Sequence, residues 1–209
     1  METITNETPS ITTTVIEMAW RDLRVIASVG VAAGRDNARP ILTAIHLTAG
    51  GGEIQAVATD SYRLATATTE HDGPEIDALI PAKWLLTAVK STKPLKRNET
   101  TAKVTLSITG DTVTVSNYET TFTTQMVSGQ FPKVAQLIPT SDNYKSELGS
   151  FNPTFLAGMH DITSICDPGN TTASWKCLSM SEVSPSLWAT TCHAERSWDM
   201  QYQLMPVRA

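Results

Sequence analysis

A change of period recurs along this 209-residue chain. A short alternating run gives way to a 3.6-residue pattern, and three alternating runs follow. Alternation marks half-buried strands and the longer period marks helices, so each recurrence reads as strand, helix, then three strands. The first unit takes a strand at Ser10–Ile16, a helix at Ala19–Ala33, and strands at Ile41–Thr48, Ile54–Thr59 and Arg63–Thr68. Gly50-Gly51-Gly52 turns the second strand into the third. The second unit takes Asp77–Ile80, a helix at Ala82–Ser91 opened by Pro81, then Val104–Ile108, Thr112–Ser116 and Thr120–Val127, with a hairpin signal at Gly110-Asp111. Residues 128–143 hold Pro132 and Pro139, lack a period, and read as a connector across the surface. The third unit is Lys145–Gly149, a helix capped by Asn152 with Pro153 at its first position, and strands near Ser174–Ser181, Leu187–His193 and Met200–Pro206. The repeat is one of supersecondary structure and not of letters. It implies α+β layers of sheet and helix. Several folds built from such units remain open at this point.

Composition excludes some classes. Apolar residues make up 41% and charged residues 18%, and the net charge is −5. A core is affordable, disorder is not expected, and a protein that coats nucleic acid with its whole surface is disfavoured. A basic face is still allowed. No stretch reaches the roughly 18 apolar residues of a membrane span. The polar start METITNETPS lacks the features of a signal peptide, so a cytoplasmic location is expected. Cys166, Cys177 and Cys192 are odd in number and widely spaced, which fits isolated thiols and neither a disulfide framework nor a zinc site. His46, His71, His160 and His193 lie at no metal-ligand spacing. No Ser/His/Asp signature, Walker loop or dinucleotide fingerprint is present, so neither an enzyme nor a cofactor is expected.

Four stretches resemble the beta subunit of bacterial DNA polymerase III, the sliding-clamp family. Arg39–Leu47 (RPILTAIHL) is similar to the first strand of that family's middle domain. Val57–Ala65 (VATDSYRLA) is similar to its hairpin Thr-Asp-Gly-X-Arg-Leu. Gly129–Pro139 (GQFPKVAQLIP) resembles the following linker, and Leu204–Arg208 (LMPVR) the C-terminal tail. They occur in the family's order, from about Ser10 to Ala209. The resemblance implies a clamp fold of repeated βαβββ units, with helices lining a ring and sheets outside. It implies a processivity factor that encircles duplex DNA and tethers polymerase and clamp loader through short linear motifs. A second reading is a clamp mimic that sequesters host clamp partners without encircling DNA.

The resemblance also implies two kinds of site. Phosphate contacts without base reading need Lys and Arg at helical spacing. Arg21 and Arg24 on the first helix and Lys83 and Lys90 on the second supply them, with Arg35, Lys93, Lys96 and Arg97 as looser candidates. The bland reading of each is a solvated helix face. A partner-peptide pocket would be walled by Leu42, Thr59, Ser61, Tyr62, Arg63, Leu64, Pro132, Leu137, Gln203, Leu204, Met205, Pro206, Val207 and Arg208. Ordinary core is the bland reading of its apolar members. Ser61 stands where the family has glycine, and Asp60 reads as a cap that orders the turn.

The departures bear on assembly. The family's first domain has no counterpart, and Phe151–Leu156 resembles the last helix of the third domain. The expected division is a complete clamp domain at 1–139 and a half domain at 140–209 that another subunit completes. Family rings carry twelve units, so three per chain favours a homotetramer ahead of a trimer. The shortening suggests a bacteriophage source, acting in the host cytoplasm.

Overall fold

The computed structural model describes residues 12–92 and 102–134, part of a helix within 157–165, and the strands 176–179, 187–192 and 198–204. The first unit runs β1 (Thr13–Ala19), α1 (Trp20–Ser28), β2 (Ala44–Gly50), β3 (Glu53–Thr59) and β4 (Arg63–Glu70). The second runs β5 (Ile76–Pro81), α2 (Ala82–Ser91), β6 (Lys103–Thr109), β7 (Thr112–Ser116) and β8 (Thr121–Gln125). The third contributes helical residues within 157–165 and β9 (Lys176–Ser179), β10 (Leu187–Cys192) and β11 (Trp198–Leu204). The expected strand at Lys145–Gly149 and the cap at Asn152 lie outside the described residues.

The units exchange their first strands. One sheet has the order β1-β6-β7-β8, and the other β5-β2-β3-β4-β11-β10-β9. β1 therefore lies beside the second unit's strands and β5 beside the first's. All pairs among the described strands are antiparallel. Exchange binds the first two units into one body, because neither sheet is complete without a strand from the other.

One apolar core joins both sheets to the helices. Leu23 and Ile26 of α1 and Leu85 and Val89 of α2 meet Ile45, Ile54, Leu106 and Val115 from the strands. Burial of each such leucine or isoleucine contributes roughly 1.5–3 kcal/mol. β3 and β4 present mainly alanines here, Ala56, Ala58, Ala65 and Ala67, and a 3-10 turn at Val29–Ala32 packs on those two strands. Small side chains allow that close approach. Ile162 of the third unit's helix is buried in the same core.

The opposite face of the β2–β5 sheet carries a smaller cluster of Ala44, Val57, Leu64 and Leu79, covered by Phe131 and Val134. Residues 127–134 thus cross the sheet's outer face, as the aperiodic, proline-bearing sequence suggests. Val127 N–H donates to the Leu79 carbonyl at 2.9 Å, covering part of the β5 edge. Gly129 sits at φ 135°, where a Cβ would stand 2.7 Å from Ile41 Cδ1, so only glycine lets the connector pass.

Two element readings change. Ile41–Thr43 is not strand: Pro40 opens a 3-10 turn over Pro40–Thr43, and β2 begins at Ala44. The first helix ends at Ser28 before the 3-10 turn and does not run on to Ala33.

Candidate partner cleft and basic helix face

The hairpin between β3 and β4 is ordered by Asp60. Its Oδ1 accepts from the N–H groups of Tyr62 and Arg63, both at 2.9 Å, and its Oδ2 accepts from Arg63 Nε at 2.9 Å. Thr59 Oγ1 donates to the Arg63 carbonyl at 2.7 Å and accepts from Ser61 N–H at 3.1 Å. The expected structural role of Asp60 is therefore met. Ser61 takes φ 79°, the left-handed region, which costs a residue with a Cβ roughly 1 kcal/mol. Glycine occupies it freely, which explains why a Gly-containing turn is the simpler solution there.

Beside this hairpin lies an open cleft of about 330 Å³, lined by Ala33, Gly34, Arg35, Asp36, Arg39, Leu42, Asp60, Tyr62 and Arg63. Tyr62 is 60% exposed and projects as an apolar wall. Leu42 forms a buried floor, held by Gly34 N–H donating to its carbonyl at 2.7 Å. Arg39 Nη1 donates to Ser61 Oγ at 3.4 Å, so a second arginine reaches the turn. An apolar floor, one exposed aromatic and several guanidinium groups suit a peptide with apolar anchors and free carbonyl or carboxylate groups.

Of the residues expected to wall a pocket, Leu42, Tyr62 and Arg63 line this cleft, and Thr59 and Ser61 shape its turn. Leu64 does not line it: strand alternation sends it into the outer-face cluster with Phe131. Pro132 is exposed on the connector. The chain's last described strand runs alongside, with Leu204 opposite Arg63 and Gln203 opposite Leu64. Leu137, Met205, Pro206, Val207 and Arg208 lie outside the described residues. Sequence reading overlooked Ala33, Gly34, Asp36 and Arg39. Arg39 stood inside RPILTAIHL, and its place before the Pro40 turn was the available signal.

The basic residues divide sharply. Lys83 and Lys90 are exposed on α2 with Thr87 between them, whose hydroxyl donates to the Lys83 carbonyl at 2.9 Å. Arg24 was expected on a phosphate-facing stripe, yet it is 8% exposed. Its Nε donates to the Ile165 carbonyl at 2.8 Å, its Nη2 donates to the same oxygen, and its guanidinium stacks over Trp20 at 4.5 Å. Arg24 braces α1 against the third unit. Ser28, on the same stripe, is fully buried and donates to the Val25 carbonyl. Arg21 stays partly exposed and lies 3.6 Å from Asp22. Burial pushes the Asp22 carboxyl above its ordinary range, while the charge of the neighbouring Arg21 pulls the other way. Arg35 belongs to the cleft and not to α2's basic face. Lys93, Lys96 and Arg97 lie outside the described residues. Among the described residues, no cluster of three or more His, Cys, Asp or Glu side chains could hold a metal ion.

Exchanged βαβββ units, helices packed against two antiparallel sheets and a cleft beside the β3–β4 hairpin of the first unit define a clamp-type α+β protein. Residues 21–133 match the family described as DNA polymerase III beta subunit, central domain, and the chain belongs to that family. The beta sliding clamp of Micrococcus luteus is 32% identical over 120 residues, covering 56% of this chain and 37% of the relative. That of Lactococcus lactis is 29% identical over 113 residues, covering 53% and 28%. The chain thus spans about a third of the length of these relatives. Among solved structures, a Pseudomonas aeruginosa DNA polymerase sliding clamp shares the fold with a TM-score of 0.72 and 17% identity, covering 98% of this chain and 69% of its own. The Bacillus subtilis DNA polymerase sliding clamp gives 0.62 and 18%, covering 99% and 67%.

Proposed function

We propose that the chain is a DNA sliding clamp: a processivity factor, without bond-making chemistry, whose copies encircle duplex DNA and tether a polymerase and a clamp loader by short linear motifs. Membership of the beta-subunit family supports the class. The observation that carries the reading for this chain is the seam at β4 and β11. There Leu204 of β11 lies opposite Arg63, one of the residues that line the cleft beside the Asp60–Tyr62 hairpin and the Leu42 floor.

In this reading the cleft takes a partner's apolar anchors on Leu42 and Tyr62, with Leu137, Met205, Pro206 and Val207 adding apolar wall and Arg63 and Arg208 gripping peptide carbonyls. Lys83 and Lys90 hold phosphates loosely, with Arg21 assisting, which keeps the tether mobile along DNA. Arg24 drops out of that set. Units of several copies together close the ring. Four chains of three units is the favoured count, three chains the second, and each third unit is completed by a copy. The site of action is the cytoplasm.

Fluorescence anisotropy with a labelled peptide bearing leucine and phenylalanine anchors tests the cleft. Tyr62→Ala should weaken binding about tenfold, equivalent to about 1.4 kcal/mol. Equal affinity of wild type and Y62A would overturn the pocket assignment.

A further inference from the structure

The three-strand ladder of each repeated unit has two edges, a first and a last. The first edge, on β2 and β6, is covered by the strand that the neighbouring unit exchanges, β5 and β1 respectively. The last edge of the first unit, β4, is covered by β11, which is itself the last strand of the third unit. The pairing is antiparallel and runs over seven residue pairs, Arg63 opposite Leu204 through Thr69 opposite Trp198. The rule between these units is therefore last strand against last strand. β8 is the last strand of the second unit, and among the described residues it pairs only with β7.

Among the described residues, that edge carries none of the usual protection. Exposed edges in stable proteins are blunted by charge, proline or a covering segment, because a bare ladder of N–H and C=O groups recruits another strand. β5 carries Asp77 and is partly covered by Val127. β1 carries Glu17, paired with Lys103 at 3.4 Å. β8 reads TFTTQ, and no charged residue occurs from Thr120 through Pro132. Thr121, Thr123 and Gln125 are exposed, while Phe122 packs against the main core. Tyr118, 95% exposed, stands just ahead of the strand and places an uncovered aromatic at the same rim.

We infer that β8 pairs antiparallel with β8 of a second copy, extending the four-stranded sheet across a two-fold axis. This rests on the clamp reading and gives it one of its ring-closing contacts. The strand fits itself. An uncharged β-branched strand can lie against its copy without opposing like charges, and a contact with two-fold symmetry closes after two copies. With the axis at Thr123, Phe122 of one copy faces Thr124 of the other, an aromatic–β-branched pair of the kind that stabilises antiparallel sheets. Partner chemistry is thus specified: a threonine-rich, neutral edge strand, which this chain itself supplies.

Thr123→Lys tests it by placing two ammonium groups across the axis. Light scattering of the full chain should show the assembly's mass fall twofold relative to wild type, while far-UV circular dichroism stays unchanged and Thr123→Ser keeps the full mass. A photoreactive benzophenone side chain at position 123, in an otherwise unaltered chain, should crosslink to residues 119–127 of a second copy, and this arm stands even where Thr123→Lys fails to fold. An undiminished mass in a folded T123K, or crosslinks falling on β9 and β10, would overturn the β8 contact and leave the clamp reading intact. A wild-type chain that is monomeric would overturn both.

Discussion

α1 and α2 hold the same place in successive units, and they spend their charges differently. From Leu23 to Ser28 every residue of α1 is buried, whereas α2 keeps Lys83, Thr87 and Lys90 in solvent. The cause is neighbours. α1 packs on α2, where Trp20 Nε1 donates to the Val89 carbonyl at 3.1 Å, and its next face meets the third unit's helix through Arg24 and Ile165. Basic residues at helical spacing therefore say which side chains share a face, and the packing decides whether that face meets water or protein. One helix has become the joint between three units, and the other offers its cations outward.

Arg24→Met breaks this contrast most severely. Methionine keeps much of the apolar stem but loses the charged donors to the Ile165 carbonyl and the contact with Trp20. Buried hydrogen bonds from a charged group and a cation–π contact together predict a loss of about 2 kcal/mol. For a chain of this size that is a fall in Tm of roughly 4–8 °C, measurable by calorimetry. An unchanged Tm, with DNA retention lost instead, would return Arg24 to the phosphate-contacting set.

Lys83→Ala with Lys90→Ala should do the reverse. Both ammonium groups are exposed, so stability should stay within about 0.5 kcal/mol of wild type. Each phosphate contact removed lowers the slope of log binding constant against log salt by about 0.9, so the double variant should lose nearly 2 in slope. A salt titration of binding to a DNA duplex reads this directly. A slope unaltered by both substitutions would show that α2's outward face does not meet phosphate.

Local signals were the legible ones. Pro81 marked the start of α2, and the helix runs Ala82–Ser91 as the spacing predicts. Asp60 was readable as a cap because its partners are two and three residues away. Ile41–Thr43 misled because β-branched and leucine residues favour strand, while Pro40 and the short hydrogen bond from Thr43 Oγ1 to the Pro40 carbonyl set a tighter turn. The seam of β4 and β11 joins residues more than a hundred positions apart, and no local pattern encodes such a choice of neighbour. The same non-locality hid the burial of Arg24, whose acceptor lies 141 residues away. Half of the cleft was legible through its hairpin. The half supplied by Ala33, Gly34, Asp36 and Arg39 depends on how the 3-10 turn folds back, which their residue types alone do not state.

The mildest test concerns Asp22, which shares the solvent-facing end of α1 with Arg21. Burial holds its carboxyl above the ordinary range, and Arg21 offsets this only in part. A folded-state pKa above the unfolded one means that the folded protein holds the proton more tightly, so stability from this group is greatest in acid and is lost as pH rises through the folded value. Asp22→Asn should therefore raise Tm at neutral pH, and the gain should shrink as both proteins are acidified below the unfolded carboxylate pKa of about 3.9. The same substitution removes the anion beside Arg21, so α1 would gain one outward cation and the salt slope of DNA binding should steepen slightly. If Tm rises without a steeper slope, Arg21 is tied down by its surroundings and not by Asp22, and the contrast between the two helices is then one of packing alone.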